Sequence, residues 1–203
     1  MIGWIDVKTT GTDERRDMLL QVAFTLTRDD GNSVMGDRAI RAYPMFDADT
    51  FTEAYNLADE SVKESHAGIG LWDLLTSGSG GGGAGIHGYR SYPEMDMGLH
   101  DLIREAVHDD YLDDGIALGG RWVGMCAVFL REFLPSTYRL FDGGMVDVAS
   151  LEKAFHGYED LEYKATAMSP ERRDSLSDLY RDVTEYRVAR GWMMDHDDDG
   201  SER

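Results

Sequence analysis

The chain has a single cysteine, Cys126, in 203 residues. One thiol cannot form an internal disulfide framework or a cysteine-rich zinc site, and a small buried thiol is the expected role. Positive charge is also scarce: 20 Lys and Arg face 39 Asp and Glu, for a net charge of −19, and sixteen of the 20 are Arg. Nucleic-acid affinity comes largely from counterion release by Lys and Arg, so sequence-independent clamping of long DNA or RNA is not expected. A pocket for very short substrates is compatible with an acidic protein. No apolar stretch is long enough to cross a bilayer, and no N-terminal run joins a basic stretch to a long apolar core. The expected location is the cytoplasm, with no membrane partner.

What is present describes a folded domain. The content is 42% hydrophobic and 10% aromatic, and the length suits one self-sufficient core. We expect a single domain over 1–194, interrupted by a Gly-rich loop at 77–88. An acidic, disordered tail over 195–203 is expected to follow. That tail repeats the first six positions of an EF-hand loop, from Asp195 to Gly200, but the Glu due at position twelve would lie beyond Arg203. The loop contains Gly78, Gly80 and Gly83 at G-x-G-x-x-G spacing. In so Gly-rich a run the match is nearly automatic, and it follows a helical stretch rather than a strand.

Met1 to Val7 reads as a strand ending in the polar turn Lys8-Thr9-Thr10-Gly11. In Leu19 to Thr27 the residues Leu20, Val22, Phe24 and Leu26 alternate with Gln21, Ala23 and Thr25, the pattern of a half-buried strand. Asp29-Asp30-Gly31-Asn32 then turns the chain into a third strand, Ser33 to about Tyr43. Helical patterns follow at Thr50–Leu57, His66–Leu75 and Glu94–Val107, the last with Met95, Leu99, Leu102, Ile103 and Ala106 on one face. Ile116–Gly120 reads as a short buried strand, Val123–Leu134 as a helix stopped by Pro135, and Tyr138–Phe141 as another extended piece. Val148–Phe155 reads as a helix begun near Asp147 or Ser150. Ser169, Pro170 and Glu171 announce a last helix, with Leu176, Leu179, Tyr180, Val183 and Tyr186 as its buried stripe. The expected architecture is α/β, a mixed five-stranded sheet with the first three strands antiparallel, flanked by helices.

Several segments resemble one family. Trp4-Ile5-Asp6-Val7-Lys8-Thr9-Thr10-Gly11 is similar to the oligoribonuclease opening Trp-Ile-Asp-x-Glu-x-Thr-Gly. Gly119 through Leu151, with Phe133-Leu134-Pro135 and Val146-Asp147-Val148-Ala149-Ser150-Leu151, aligns without a gap to that family's central segment. Tyr55-Asn56, His66 with Gly70-Leu71, and the closing Thr184-Glu185-Tyr186-Arg187 look like further family motifs. The resemblance covers about two thirds of the chain and implies the RNase H-like fold of a DEDDh 3′→5′ exonuclease.

Such enzymes hold two Mg²⁺ with four carboxylates, while a His activates water. Two divalent ions about 3.5–4 Å apart need anionic ligands to offset their charge. The resemblance implies that only the first Asp survives here, as Asp6. The Glu position holds Lys8, and the second motif's Asp and Asn positions hold Cys126 and Arg121. The third motif's His and Asp positions fall near Pro170 and Ser175. At an effective dielectric of about 20, an ammonium roughly 4 Å from a divalent ion is opposed by about 8 kcal/mol. No catalytic residue, metal or other cofactor is therefore expected. If activity persists, Mg²⁺ or Mn²⁺ would sit at Asp6 and Asp174, with Asp142, Asp147 or Glu171 as further donors.

The leading expectation is a catalytically inactive homologue that binds a nucleotide, a short RNA end or a protein. Thr10, Thr12, Tyr55, His66 and Arg121 are its candidate ligand-binding residues, and Lys8, Arg121 and Arg131 would receive a phosphate. The alternatives are an active 3′→5′ exoribonuclease with relocated ligands and a structural protein that dimerises. The family's homodimers make a homodimer the expected assembly.

Overall fold

The computed structural model describes residues 1–35, 39–76, 85–107, 115–155 and 175–197. Its centre is a six-stranded mixed sheet. The strands are β1 (Ile2–Thr9), β2 (Leu19–Thr27), β3 (Ile40–Pro44), β4 (Ile86–Tyr89), β5 (Ala117–Gly120) and β6 (Met145–Asp147), in the order β4-β3-β2-β1-β5-β6. β2 pairs antiparallel with β1 and β3, while β1–β5, β5–β6 and β3–β4 pair in parallel.

Among the described residues the sheet therefore has six strands, where five were expected. Tyr138–Phe141 is not among them, because Pro135 starts another short helix instead of only ending the previous one. The extra strands are short and lie beside glycines: β4 follows Gly85, within the stretch read as loop, and β6 follows Gly144. The third strand begins only at Ile40, with Ser33 making an isolated bridge to Thr27. β2 is buried along its whole length rather than on one face, since Ala23 packs beneath the last helix while Val22 and Phe24 face the opposite core.

Among the described residues the helices are α1 (Ala48–Leu57), α2 (Glu60–Gly68), α3 (Leu71–Thr76), α4 (Tyr92–Ala106), α5 (Val123–Phe133), α6 (Pro135–Tyr138), α7 (Val148–Ala154) and α8 (Ser175–Asp197). Side-chain oxygens begin four of them. Asp47 accepts from the Thr50 amide, Asp59 from Val62, Ser91 from Glu94 and Asp147 from Ala149. The segment between the two expected helices is itself helical from Glu60, because Asp59 caps it. The Ser169–Glu171 start signal lies outside the described residues, as do 77–84 of the Gly-rich stretch. α8 runs to Asp197, into the stretch expected as a disordered tail.

Alternation along β1 sets the layers. Ile5 and Val7 point into a core with Met95, Leu99 and Ile103 of α4 and Val123, Ala127 and Leu130 of α5. Ile2 and Trp4 point the other way, against Leu179 of α8 and Val148 of α7. Trp4 is fully buried, donates from Nε1 to Thr27 Oγ1 at 2.8 Å and packs on Tyr186 at 5.1 Å between ring centres. A smaller core joins Leu20 and Tyr43 to Ala54, Leu71, Trp72 and Leu75 beneath α1–α3. No described helix is long and apolar enough to cross a membrane.

Candidate functional site

Asp6 and Lys8 follow Trp4 on the face of β1 covered by α8. They lie near the carboxyl end of the strand, where open α/β sheets place ligands. The Lys8 ammonium is 2.9 Å from Asp6 Oδ2 and 2.9 Å from Asp178 Oδ2 on α8. Burial works against the ammonium, but the Asp6 and Asp178 carboxylates outweigh it and hold the Lys8 pKa above its ordinary value. Burial dominates at Asp6, pushing its pKa up to about 6 despite Lys8, with Asp178 and Asp182 adding repulsion. Asp6 Oδ2 is shielded from solvent, and the Lys8 ammonium at 2.9 Å is its charged partner.

A second cation lies just beyond β5. Gly120 has φ +157°, and a Cβ there would come within 2.4 Å of the Ile5 carbonyl oxygen, so only glycine lets the chain cross β1 this closely. The turn delivers Arg121 to α8. Its amide donates to Asp182 Oδ2 at 2.9 Å and its Nε to Asp182 Oδ1 at 3.3 Å, while its two terminal nitrogens pair with Glu152 of α7 and Glu185 of α8. Asp182 is pushed up to about 6 by burial, which Arg121 only partly offsets. Burial likewise raises Glu185, while burial opposes the Arg121 charge and its three acidic partners hold it in place. Arg181 adds contacts to Asp178 at 3.3 Å and Glu185 at 3.7 Å. Two columns of charge therefore join α8 to the ends of β1 and β5, with Lys8 and Arg121 each matched by carboxylates.

The structure brings together some of the sequence-predicted positions. Cys126 lies beneath the site on α5, its thiol pushed up to about 12 by burial and then by the nearby Asp6 charge. Ser175 opens α8, but the residue that reaches Lys8 is Asp178, three positions further on. Pro170, Glu171 and Asp174 lie outside the described residues. Asp147 is occupied as the α7 cap and as acceptor of the Trp122 amide at 3.1 Å. Asp142 lies against Gly115, at the far end of β5. Sequence reasoning missed Asp178, Asp182 and Glu185. Their spacing of four and then three residues marks one helical face, and that acidic stripe was the available signal.

The remaining candidates form a wall beside Lys8. His66 on α2 has Nε2 3.0 Å from the Thr9 carbonyl oxygen, and burial, with Lys8 nearby, holds its pKa below the usual histidine value. Its ring packs on Trp72, which also meets Tyr55 edge-on at 5.2 Å. Tyr55 is 40% exposed, stacks on Phe51 and carries the Lys63 ammonium 5.0 Å from its ring centre. Thr10 is buried and accepts the Met18 amide, whereas Thr12 is exposed. Arg131 is exposed on α5.

This arrangement of parallel strands, one central antiparallel strand and a helix laid across the β1 face has solved counterparts. The exonuclease I of Methylocaldum szegediense superposes over 94% of this chain with a TM-score of 0.57 and 17% identity. The fold is the RNase H-like exonuclease fold. A product-bound exonuclease I matches with a TM-score of 0.60 at 14% identity over 94% of the chain. A zinc-bound E. coli exonuclease I in complex with single-stranded DNA matches at 0.59 and 14% over 96%. The chain spans only 40% to 43% of the length of these proteins. No family model and no curated protein matches the sequence.

The zinc-bound relative raises the question of a metal here. Divalent cations of the Mg²⁺ class need convergent oxygen ligands. At Asp6 and Asp178 an ammonium already holds the position between the two carboxylates, and a neutral thiol lies beneath. No group of three or more His, Cys, Asp and Glu side chains among the described residues converges as a metal-holding set. As a donor set for a metal pair, these residues do not fit.

Proposed function

We propose that this chain is a catalytically silent relative of the oligoribonuclease-type exonucleases that acts by binding and needs no metal. The observation that supports the reading most is the Lys8 ammonium placed 2.9 Å from both Asp6 and Asp178. A pair of divalent ions would have to displace this cation, and the displaced ammonium would leave two favourable contacts for mutual repulsion.

Of the possible ligands, a protein partner is favoured over direct phosphate capture. Lys8 and Arg121 are both saturated by carboxylates, so a phosphate would have to compete with groups already in contact. The exposed surface offers apolar anchors instead. Trp122 is 59% exposed and Met145 on the edge strand 55%, and Trp and Met are enriched at interfaces. Trp122 sits at φ 55°, the left-handed region that a bulky residue rarely adopts, at the start of α5, with the Lys153 ammonium 5.7 Å from its ring centre. The expected homodimer would be one way of covering such a surface.

The test is incubation with Mn²⁺ and a labelled dinucleotide. No cleavage is expected, with the Asp6→Ala variant indistinguishable from the parent. Metal-dependent cleavage that Asp6→Ala abolishes would overturn the reading in favour of an active exoribonuclease. Dinucleotide binding that weakens on Lys8→Glu would shift the ligand from a protein to a nucleotide.

A further inference from the structure

We infer that Lys8 is the resident cation of the exonuclease-fold pocket, a tethered counter-ion whose removal opens the Asp6–Asp178 pair to a hard divalent cation. The inference rests on the silent-site reading and extends it from what the pocket lacks to what fills it.

The geometry is specific to a cation seat. Asp6 is anchored on β1 and Asp178 on α8, so two separate elements supply the two carboxylates, and Lys8 Nζ is equidistant from them at 2.9 Å. Two oxygens at that distance from a common point are at most about 6 Å apart, and a divalent cation with bonds of about 2.0–2.6 Å can bridge such a pair with modest closing and bound water. Asp6 Oδ2, screened from solvent, faces this point. The neighbouring Asp182 lies one helical turn beyond Asp178 and keeps the field at Asp6 negative. Arg121 cannot replace Lys8, because its nitrogens are committed to Asp182, Glu152 and Glu185. Without the ammonium, two carboxylates would face each other, largely enclosed, with a third nearby.

The ligand class follows from the donors. Carboxylate oxygens suit Mg²⁺, Ca²⁺ and Mn²⁺, while the one thiol beneath them is held protonated and would not recruit a soft metal. Lys8 therefore does by covalent attachment what a bound ion would do by mass action, and the native fold is independent of metal supply.

Thermal unfolding of the full chain, with and without MnCl₂, tests this. The parent and Lys8→Arg, which retains the charge, should show no Mn²⁺-dependent rise. Lys8→Met should melt on the order of 10 °C lower, as expected for a partly buried charge left without its partner in a chain of this size. Mn²⁺ at roughly a hundredfold above its dissociation constant should then raise the Lys8→Met melting temperature by about 5 °C or more. Lys8→Met/Asp178→Asn should be metal-blind, which separates the pocket from the acidic surface. Should Lys8→Met not fold in chelator, recovery of cooperative refolding on adding Mn²⁺ is the equivalent supporting result, and failure to recover overturns the inference. A folded Lys8→Met that ignores Mn²⁺ also overturns it while leaving the silent-site reading intact. A parent protein that binds Mn²⁺ through Asp6 would overturn both.

Discussion

Replacing Arg121 with Met keeps the length and packing of the side chain and removes its charge. The loss falls mainly on Asp182, whose side chain is 4% exposed, because Glu152 is 56% exposed and contributes as a surface pair while Glu185 keeps the Arg181 guanidinium at 3.7 Å. Deleting one member of a buried charge pair costs about 3–5 kcal/mol. Asp182 keeps the hydrogen bond from the residue 121 amide, which main-chain geometry supplies whatever the side chain. The expected cost is therefore near the lower bound, about 3 kcal/mol, or roughly 10 °C in melting temperature for a domain of this size. Urea unfolding at pH 7.5 measures it, in a double-mutant cycle with Asp182→Asn. The Asn retains the shape and the acceptor for the amide, so Arg121→Met/Asp182→Asn should lie within about 1 kcal/mol of the parent. The Arg121→Met penalty should also shrink at pH 5, where a carboxyl with a pKa of about 6 is mostly protonated. A loss under 1 kcal/mol for Arg121→Met, or no recovery in the double variant, refutes the view that α8 is clamped by this residue.

Asp6 and Asp182 both have folded-state values of about 6 against an ordinary 3.8, so the folded chain holds extra protons between about pH 4 and pH 6. Stability therefore falls as pH rises through that window, by a few kcal/mol in order of magnitude for the pair, and the urea midpoint should be higher at pH 5 than at 7.5. Asp182→Asn should flatten the profile, and an unchanged slope would contradict the assignment. Gly3→Ala places a Cβ 2.5 Å from Phe141 and 3.1 Å from Phe24, and the overpacking should cost about 1–3 kcal/mol in the same assay. Cys126, buried and with its thiol near 12, should resist alkylation by iodoacetamide until the chain unfolds globally, and rapid labelling of the native protein would count against its placement.

The parts of this structure legible in the sequence are those in which one segment carries its own period or its own stop. The apolar stripe of α4, the cap at Asp147 and the halt at Pro135 are of this kind. The opening Trp4–Gly11 gave both the strand and the unusual Lys8. What escaped depended on partners distant in sequence. β4 and β6 are too short for periodicity, and pairing with β3 and β5 makes them strands. The polar positions of β2 looked solvent-facing because nothing local announces that α8 covers them. On α8 the difference is one of phase: Asp178, three positions beyond Ser175, is the residue that reaches Lys8, and a displacement of three residues is nearly one helical turn, so it leaves the apolar stripe unchanged and is invisible to pattern. It also hid the pairing of Lys8 with Asp178, and so the saturation of a cation that had been read as free to receive phosphate.

The nine residues of β2, Leu-Leu-Gln-Val-Ala-Phe-Thr-Leu-Thr, contain no charge, proline or glycine and are buried end to end. Such a segment is shielded only while β1, β3 and the covering helices are assembled around it. Released in an unfolded chain, it has the composition that stacks into intermolecular cross-β structure. The net charge of −19 then acts as a colloidal safeguard, keeping newly made copies apart until the central strand is enclosed. Refolding at high salt, which screens that repulsion, should accordingly lose soluble yield to aggregation faster than refolding in dilute buffer.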